Sequence, residues 1–518
     1  MGKFITTTLS PPLYARSKLL CFSLVYLFTT LFLFLYVSLS RNQCVFRYSP
    51  FDPVQPKLFS YPSSYGEHKY ALPTHRSSCS SPLFFSDYWT VLKEIESILS
   101  DSSSSSQENL RYINGKSESF GGNFSTRKRF SYYNHSNIDV EVPCGFFRDF
   151  PVSNSDRVEM EKCGLVVASA IFNDHDKIRQ PVGLGVKTLE TVCFYMFIDD
   201  KTLNSLFHHN VIPRNSPRDY RVGAWRIIKI SKFESLYLNP AMNGVIPKYL
   251  IHRLFPNTKF SIWVDAKIQL MIDPLLLIHS MLVVTEADMA ISKHPFFVNT
   301  MEEAMATARW KKWGDVDGLR MQMETYCEHG LKPWSSHKLP YPTDVPDSAL
   351  ILRRHGIRSN LFSCFMFNEL EAFNPRDQLA FAFVRDHVNP KVKMNMFEVE
   401  VFEQVVAEYR HSLKKIETST YEEQEEEHKQ LSLMKTHKRR RWLDHDSWSL
   451  NSSSCKNYLM DMWGSISPLN PIYILIECGM ENSLGIYVAS CDILTQVDYN
   501  PLTLFGEITI IDGTLKQK

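Results

Sequence analysis

The segment FSIWVDAKIQLMIDP, residues 260–274, sets an acid, Asp265, directly after five residues with apolar character. Lys267 stands two positions on, and an Asp-Pro pair closes the run. Two carboxylates at i and i+2 beyond a strand converge on one hard cation, Mg or Mn, which neutralises phosphate oxygens and a leaving group. Here Lys267 takes the second position, so the chemistry divides. Either Asp265 holds a divalent cation, with His294 as a candidate further ligand, or the Lys267 ammonium meets a diphosphate directly and no metal is needed. A strand-end salt bridge is the reading without chemistry.

Asn173-Asp174-His175-Asp176 follows another apolar run. Asp174, His175 and Asp176 are types suited to acid–base work or metal binding. A loop capped by Asp174 would use them as well. Asp199-Asp200 ends a third run and offers carboxylates to a substrate, or a turn. Asn374-Pro-Arg-Asp377-Gln378 reads as a helix start, with Asn374 as cap and Pro375 first. That places Asp377 and Gln378 where a helix end would face a substrate. His208 and His209 are adjacent and point in different directions. No Gly-x-Ser-x-Gly elbow, His-Glu-x-x-His pair, Walker loop or Cys-x-x-Cys occurs.

These residues need strands to carry them. Leu165–Ile171, Val192–Ile198, Trp225–Ile230 and Phe260–Val264 are continuous apolar strands, and Asp288–Ser292 and Ser363–Phe367 are expected to be two more. Helical spacing covers Phe85–Leu99, Ile246–Phe255, Pro274–Leu282, Thr300–Lys312 and Pro375–Asp386. Buried strands alternating with helices imply an α/β fold with a mainly parallel sheet covered on both faces. Ligands bind such sheets at the carboxyl ends of strands. That rule selects Asn173–Asp176, Asp199–Asp200 and Asp265–Lys267.

The chain's 518 residues carry 57 Lys+Arg against 56 Asp+Glu, a balance that argues against a polybasic nucleic-acid binder. Leu19–Leu39 is a 21-residue run without charge. As a helix it rises roughly 30 Å, the depth of a bilayer core. It exceeds a signal-peptide core and lacks a good cleavage site. A single-pass anchor follows, with residues 1–18 as a cytoplasmic stub and the bulk of the chain lumenal. Asn123, Asn134 and Asn451 open glycosylation triplets. Ten cysteines beyond the anchor suit disulfides in an oxidising lumen. Residues 40–140 read as a Ser/Pro-rich stem, 141–410 as the catalytic-sized body, 411–464 as a charged arm and 465–518 as an atypical extension.

Two features point further. Asp265-Ala-Lys267 resembles the strand-end Asp-x-Asp motif of GT-A glycosyltransferases, with its second acid replaced. The segments at 58–82, 142–181, 260–274 and 353–381 resemble a plant family of unknown-function domains, over about residues 16–464. One family member is described as a Golgi alkaline ceramidase acting in guard cells and pollen tubes. Another is described as a hexosyltransferase of seed-mucilage synthesis. The resemblance implies a GT-A-like lumenal domain in the Golgi membrane and one of two activities. The first is hydrolysis of ceramide, with Asp174, His175 and Asp176 nearest by type to the catalytic groups. The second is hexosyl transfer from a nucleotide sugar to a glycan acceptor, with Asp265 and Lys267 on the diphosphate and Asp377 facing the sugars.

Overall fold

In the computed structural model the apolar run forms one helix, α1 (Lys18–Ser40). Among the described residues it is the one helix long and apolar enough to cross a membrane. The structure describes residues 18–40 and most of 44–409, leaving aside 48–53, 55, 57, 66–78, 80, 102–109, 136–140, 215–218, 231–236 and 310–314. Beyond them it describes the backbone of 476–483, 486–493, 508–511 and 514–517. The charged arm and Asn451 lie outside the described residues.

Two short strands, β1 (Val45–Arg47) and β2 (Leu83–Phe85), pair in parallel and lead into α2 (Tyr88–Ser100). Asp87 caps α2 by accepting from the Thr90 amide. Its buried residues Tyr88, Val91, Leu92 and Ile95 recur at helical spacing and face the core. The strands that follow are β3 (Leu165–Ile171), β4 (Cys193–Ile198), β5 (Tyr220–Val222), β6 (Trp225–Lys229), β7 (Phe260–Val264), β8 (Ile268–Leu270), β9 (Met289–Lys293), β10 (Pro346–Arg354), β11 (Met394–Phe397) and β12 (Val406–Glu408). The helices used below are α3 (Asp200–His208), α4 (Pro240–Tyr249), α5 (Thr300–Arg309), α6 (Val316–Glu328), α7 (Ile357–Ala372) and α8 (Asp377–His387).

Eight strands form one sheet in the order β11-β9-β10-β7-β3-β4-β6-β5. Six run one way, and β10 and β5 run against them. The sheet is therefore mixed and mainly parallel, as the continuous apolar strands predict. A small β8–β12 ladder lies just past the end of β7. On one sheet face, Val167, Phe194, Ile262 and Leu352 share a core with Tyr88, Val91 and Leu275. Cys44, Tyr65 and Phe85, from the span read as stem, join that same core. The alternate residues face the other way, where Arg353 lies over the Tyr249 ring of α4. Disulfides pair Cys44–Cys79, Cys144–Cys364 and Cys163–Cys193.

Two expectations change. Ser363–Phe367 is the middle of helix α7, not a strand. That stretch is buried on every side, so it lacks the apolar periodicity that marks a helix. The helix expected from Pro375 begins at Asp377. Asn374 instead accepts from the Arg376 amide and donates to Gln322, closing a turn before the helix.

The chain from Lys456 is a separate unit. It contains a four-stranded antiparallel sheet in the order Ile486–Ile493, Ile476–Ser483, Thr514–Gln517, Ile508–Ile511.

Candidate active site

All five residues of β7 are buried, so the strand carries its end to the sheet edge as a rigid stem. Asp265 follows, its amide donating to the Ala349 carbonyl of β10. Its Oδ1 accepts from the Trp263 indole at 2.6 Å and lies 3.4 Å from the Lys248 ammonium. Lys248 comes from α4, a helix that Asn239 caps and Pro240 opens. The same ammonium meets the Asp377 carboxylate at 2.7 Å and Ser348 Oγ at 3.2 Å. Tyr249 adds a hydroxyl donor to Asp377 at 2.9 Å.

Asp265 and Asp377, both candidates from the sequence, thus meet across one lysine that the sequence reading did not single out. Lys267 does not share their contacts. Its ammonium bonds Glu408 of β12 at 2.8 Å, and Asp347 is its strongest electrostatic neighbour. Asp347 sits at this edge because β10 runs backwards and brings its first residues there.

Burial disfavours the charged forms of Lys248, Asp377, Asp347 and Tyr249, and the neighbours decide the outcome. Burial opposes the Lys248 charge, but Asp265 and Asp377 outweigh it and raise its pKa. Burial likewise opposes the Asp377 charge, but Lys248 wins and lowers that pKa. For Asp347 burial wins over Lys267, so its carboxyl is shifted toward protonation. Burial holds the Tyr249 hydroxyl well above its usual range, with Asp377 adding to the effect. Behind this edge the Arg353 guanidinium is fully buried without a hydrogen bond, and burial lowers its pKa to about 10.

The remaining sequence candidates sit elsewhere along the sheet edge. Asn173 and Asp174 both take left-handed backbone angles. The Asn173 amide donates to Asp199, and the Asp174 amide to Thr202. Asp199 also caps α3 through the Thr202 amide, and Asp200 pairs with Lys229. Asp174 and Asp176 are half-buried and His175 is exposed. His294, at the end of β9, accepts from the Phe296 and Phe297 amides through Nδ1. Its Nε2 lies 4.0 Å from Glu303, a buried carboxylate paired with Arg376. Gln378 is half-buried in the first turn of α8. Asn123 and Asn134 are exposed.

The edge acids do not suit a divalent cation. An ammonium already occupies the place between Asp265 and Asp377, and Lys267 stands where the second acid would be. Among the described residues, one group brings three metal-type ligands together: Cys144, His252 and Cys364. Its two sulfurs are joined as a disulfide, so they are not thiolate ligands.

The mainly parallel sheet with its polar carboxyl edge is an α/β domain, and its sequence places it in a glycosyltransferase-like class. A sequence profile described as "TOD1/MUCI70, glycosyltransferase-like domain" matches residues 102–411, and the chain belongs to that family. "Alkaline ceramidase TOD1" of Arabidopsis thaliana is 91% identical over 464 residues, covering 90% of this chain and 100% of that protein. "Probable hexosyltransferase MUCI70" of the same plant is 35% identical over 302 residues, covering 55% of this chain and 51% of its own length. Among solved structures, mouse xyloside xylosyltransferase 1 aligns over 45% of this chain and 84% of its own at 7% identity. Its TM-score of 0.23 carries no weight.

Proposed function

We propose that this chain is a membrane-anchored alkaline ceramidase, cleaving the amide of ceramide to release sphingosine and fatty acid. One observation carries this: 91% identity over the whole length of a protein named for that activity. Amide hydrolysis needs an activated water, a stabilised oxyanion and a proton for the leaving amine. The half-exposed Asp265 carboxylate is the candidate base. Lys248, beside it, is the candidate oxyanion partner. Asp347, brought to the same edge by β10, is the candidate proton carrier to the leaving amine. The raised pKa of Lys248 suits alkaline operation, because its ammonium survives where an ordinary lysine begins to lose its proton. The loop Asp174-His175-Asp176 is the competing source of a base.

The location we infer is the Golgi membrane, type II, with the body lumenal and a role in turgor of guard cells and pollen tubes. In support stand α1, the disulfides Cys44–Cys79, Cys144–Cys364 and Cys163–Cys193, and the exposed Asn123 and Asn134 that open glycosylation triplets.

A second reading is hexosyl transfer from a nucleotide sugar to a glycan. The glycosyltransferase-like profile favours it. Lys267 and Lys248 would face the diphosphate, Asp265 would orient them, and Asp377 and Gln378 would lie toward the sugars, with no metal required.

Purified full-length protein, assayed with ceramide at alkaline pH and titrated with a panel of nucleotide sugars, separates the two. Fatty-acid release without sugar-nucleotide binding is expected. Nucleotide-sugar binding lost in Asp265→Ala, with no amide cleavage, overturns the ceramidase reading.

A further inference from the structure

The anchor and the body are joined by very little chain. Helix α1 ends at Ser40, and Cys44 is already buried in the body's core. Four Cα–Cα steps span at most ~15 Å, about twice the depth of the headgroup layer on one side of a bilayer core. Cys44 is fixed there from two sides. Its amide donates to Gln404, and it is disulfide-bonded to Cys79. Whatever surface surrounds Cys44 therefore lies near the lipid.

That surface is apolar where water would favour polar groups. Phe84 of β2 is 67% exposed and stacks on Phe46 of β1, two residues from Cys44. Trp89, in the first turn of α2, is 50% exposed. Val186 and, in the short helix Thr188–Thr191, Leu189 are exposed on the segment that packs on α2, where the Lys187 amide donates to the Tyr88 hydroxyl. Lys187 and Glu190 form an ion pair on the same segment. Aromatic and aliphatic side chains bordered by charged ones are the composition of a surface seated at a membrane interface. The segment continues toward the candidate site: the Val182 amide bonds the Leu270 carbonyl, three residues beyond Lys267.

We propose that the face carrying Phe84, Trp89, Val186 and Leu189 docks on the bilayer that holds α1. The body then lies on the membrane surface rather than standing off it, and a lipid reaches the sheet edge without leaving the bilayer. The proposal rests on α1 remaining in the membrane, and the readout below is position, not turnover, so it stands or falls apart from the ceramidase reading.

Full-length protein in nanodiscs carrying a photoactivatable phospholipid is irradiated, and lipid adducts are mapped by mass spectrometry. Adducts are expected on α1 and also on peptides spanning 83–93 and 182–191. Phe84→Asp with Trp89→Asp should cut the adducts on 83–93 by about fivefold while the chain stays folded, read as a retained cooperative melt, because both side chains lie outside the buried core. Phe84→Leu with Trp89→Phe, which keeps the surface apolar, should retain them. Adducts confined to α1, or face adducts that ignore the aspartates, overturn the docking. So does cross-linking of this face to a second copy of the chain in place of lipid. Absence of adducts on α1 itself overturns the anchor on which the proposal rests.

Discussion

Two strand ends on the same sheet edge carry acids, and they use them differently. After β3, Asp174, His175 and Asp176 lie on a loop shaped by two left-handed residues and held by Asp199 and Thr202. The polar atoms there largely close the loop and cap a helix. After β7, Asp265 meets a lysine with 11% side-chain exposure, which in turn meets a buried aspartate. The Lys248 and Asp377 charges are largely kept out of water and survive because they face one another. By residue type, the first loop looks the more catalytic of the two. By environment we propose the second, because burial among charges is what tunes acidity and strengthens electrostatics.

The comparison breaks most visibly at Lys248. Lys248→Met leaves Asp377 buried without its cation and should cost about 3–5 kcal/mol of stability, read as a large fall in melting temperature. Ceramide hydrolysis should fall with it. An unchanged melting temperature would mean the β7 end is no more charge-dependent than the β3 loop.

Asp347→Asn is expected to be gentler on the fold and severe on turnover, lowering kcat roughly a hundredfold if this carboxyl gives the proton to the amine. A loss in KM alone would remove Asp347 from proton transfer.

Acid pH sharpens the contrast by another route. Asp377 has a lowered folded pKa, so its contribution is present above the ordinary carboxylate value of about 3.9 and fades as pH falls through the lower folded value. The melting-temperature gap between the native chain and Asp377→Asn should therefore close on acidification. Lys248 has a raised folded pKa, so its contribution persists through the ordinary lysine range and is lost only above it. A gap that stays constant from neutral to strongly acidic pH would contradict the pairing.

The smallest effect belongs to the β3 side. Asp199→Ala removes a helix cap and a loop acceptor, and should cost about 1–2 kcal/mol while leaving turnover per folded molecule nearly unchanged.

Much of the scaffold could be read before any coordinates. β3 and β7 fall on the apolar runs that announce them, because strands buried on both faces need no alternation. Their carboxyl ends pointed to Asp265, and the Asp-Gln pair that opens α8 pointed to Asp377. The partners between them were not readable. Lys248 follows a proline within a helix, and only tertiary packing makes it buried. Asp347 belongs to β10, an antiparallel strand whose Asp and Arg residues disguise its apolar centre. Glu408 reaches Lys267 from far along the chain through the β8–β12 ladder. Each of these contacts is long-range in sequence, where local pattern carries no information.

The most direct measurement compares fatty-acid release from ceramide by three forms of the full-length protein: native, Asp265→Asn and His175→Ala. If the β7 end is the catalytic edge, Asp265→Asn loses activity by about two orders of magnitude and His175→Ala stays within about twofold of native. Loss of activity in His175→Ala, with Asp265→Asn still active, would move the chemistry to the β3 loop and contradict the account.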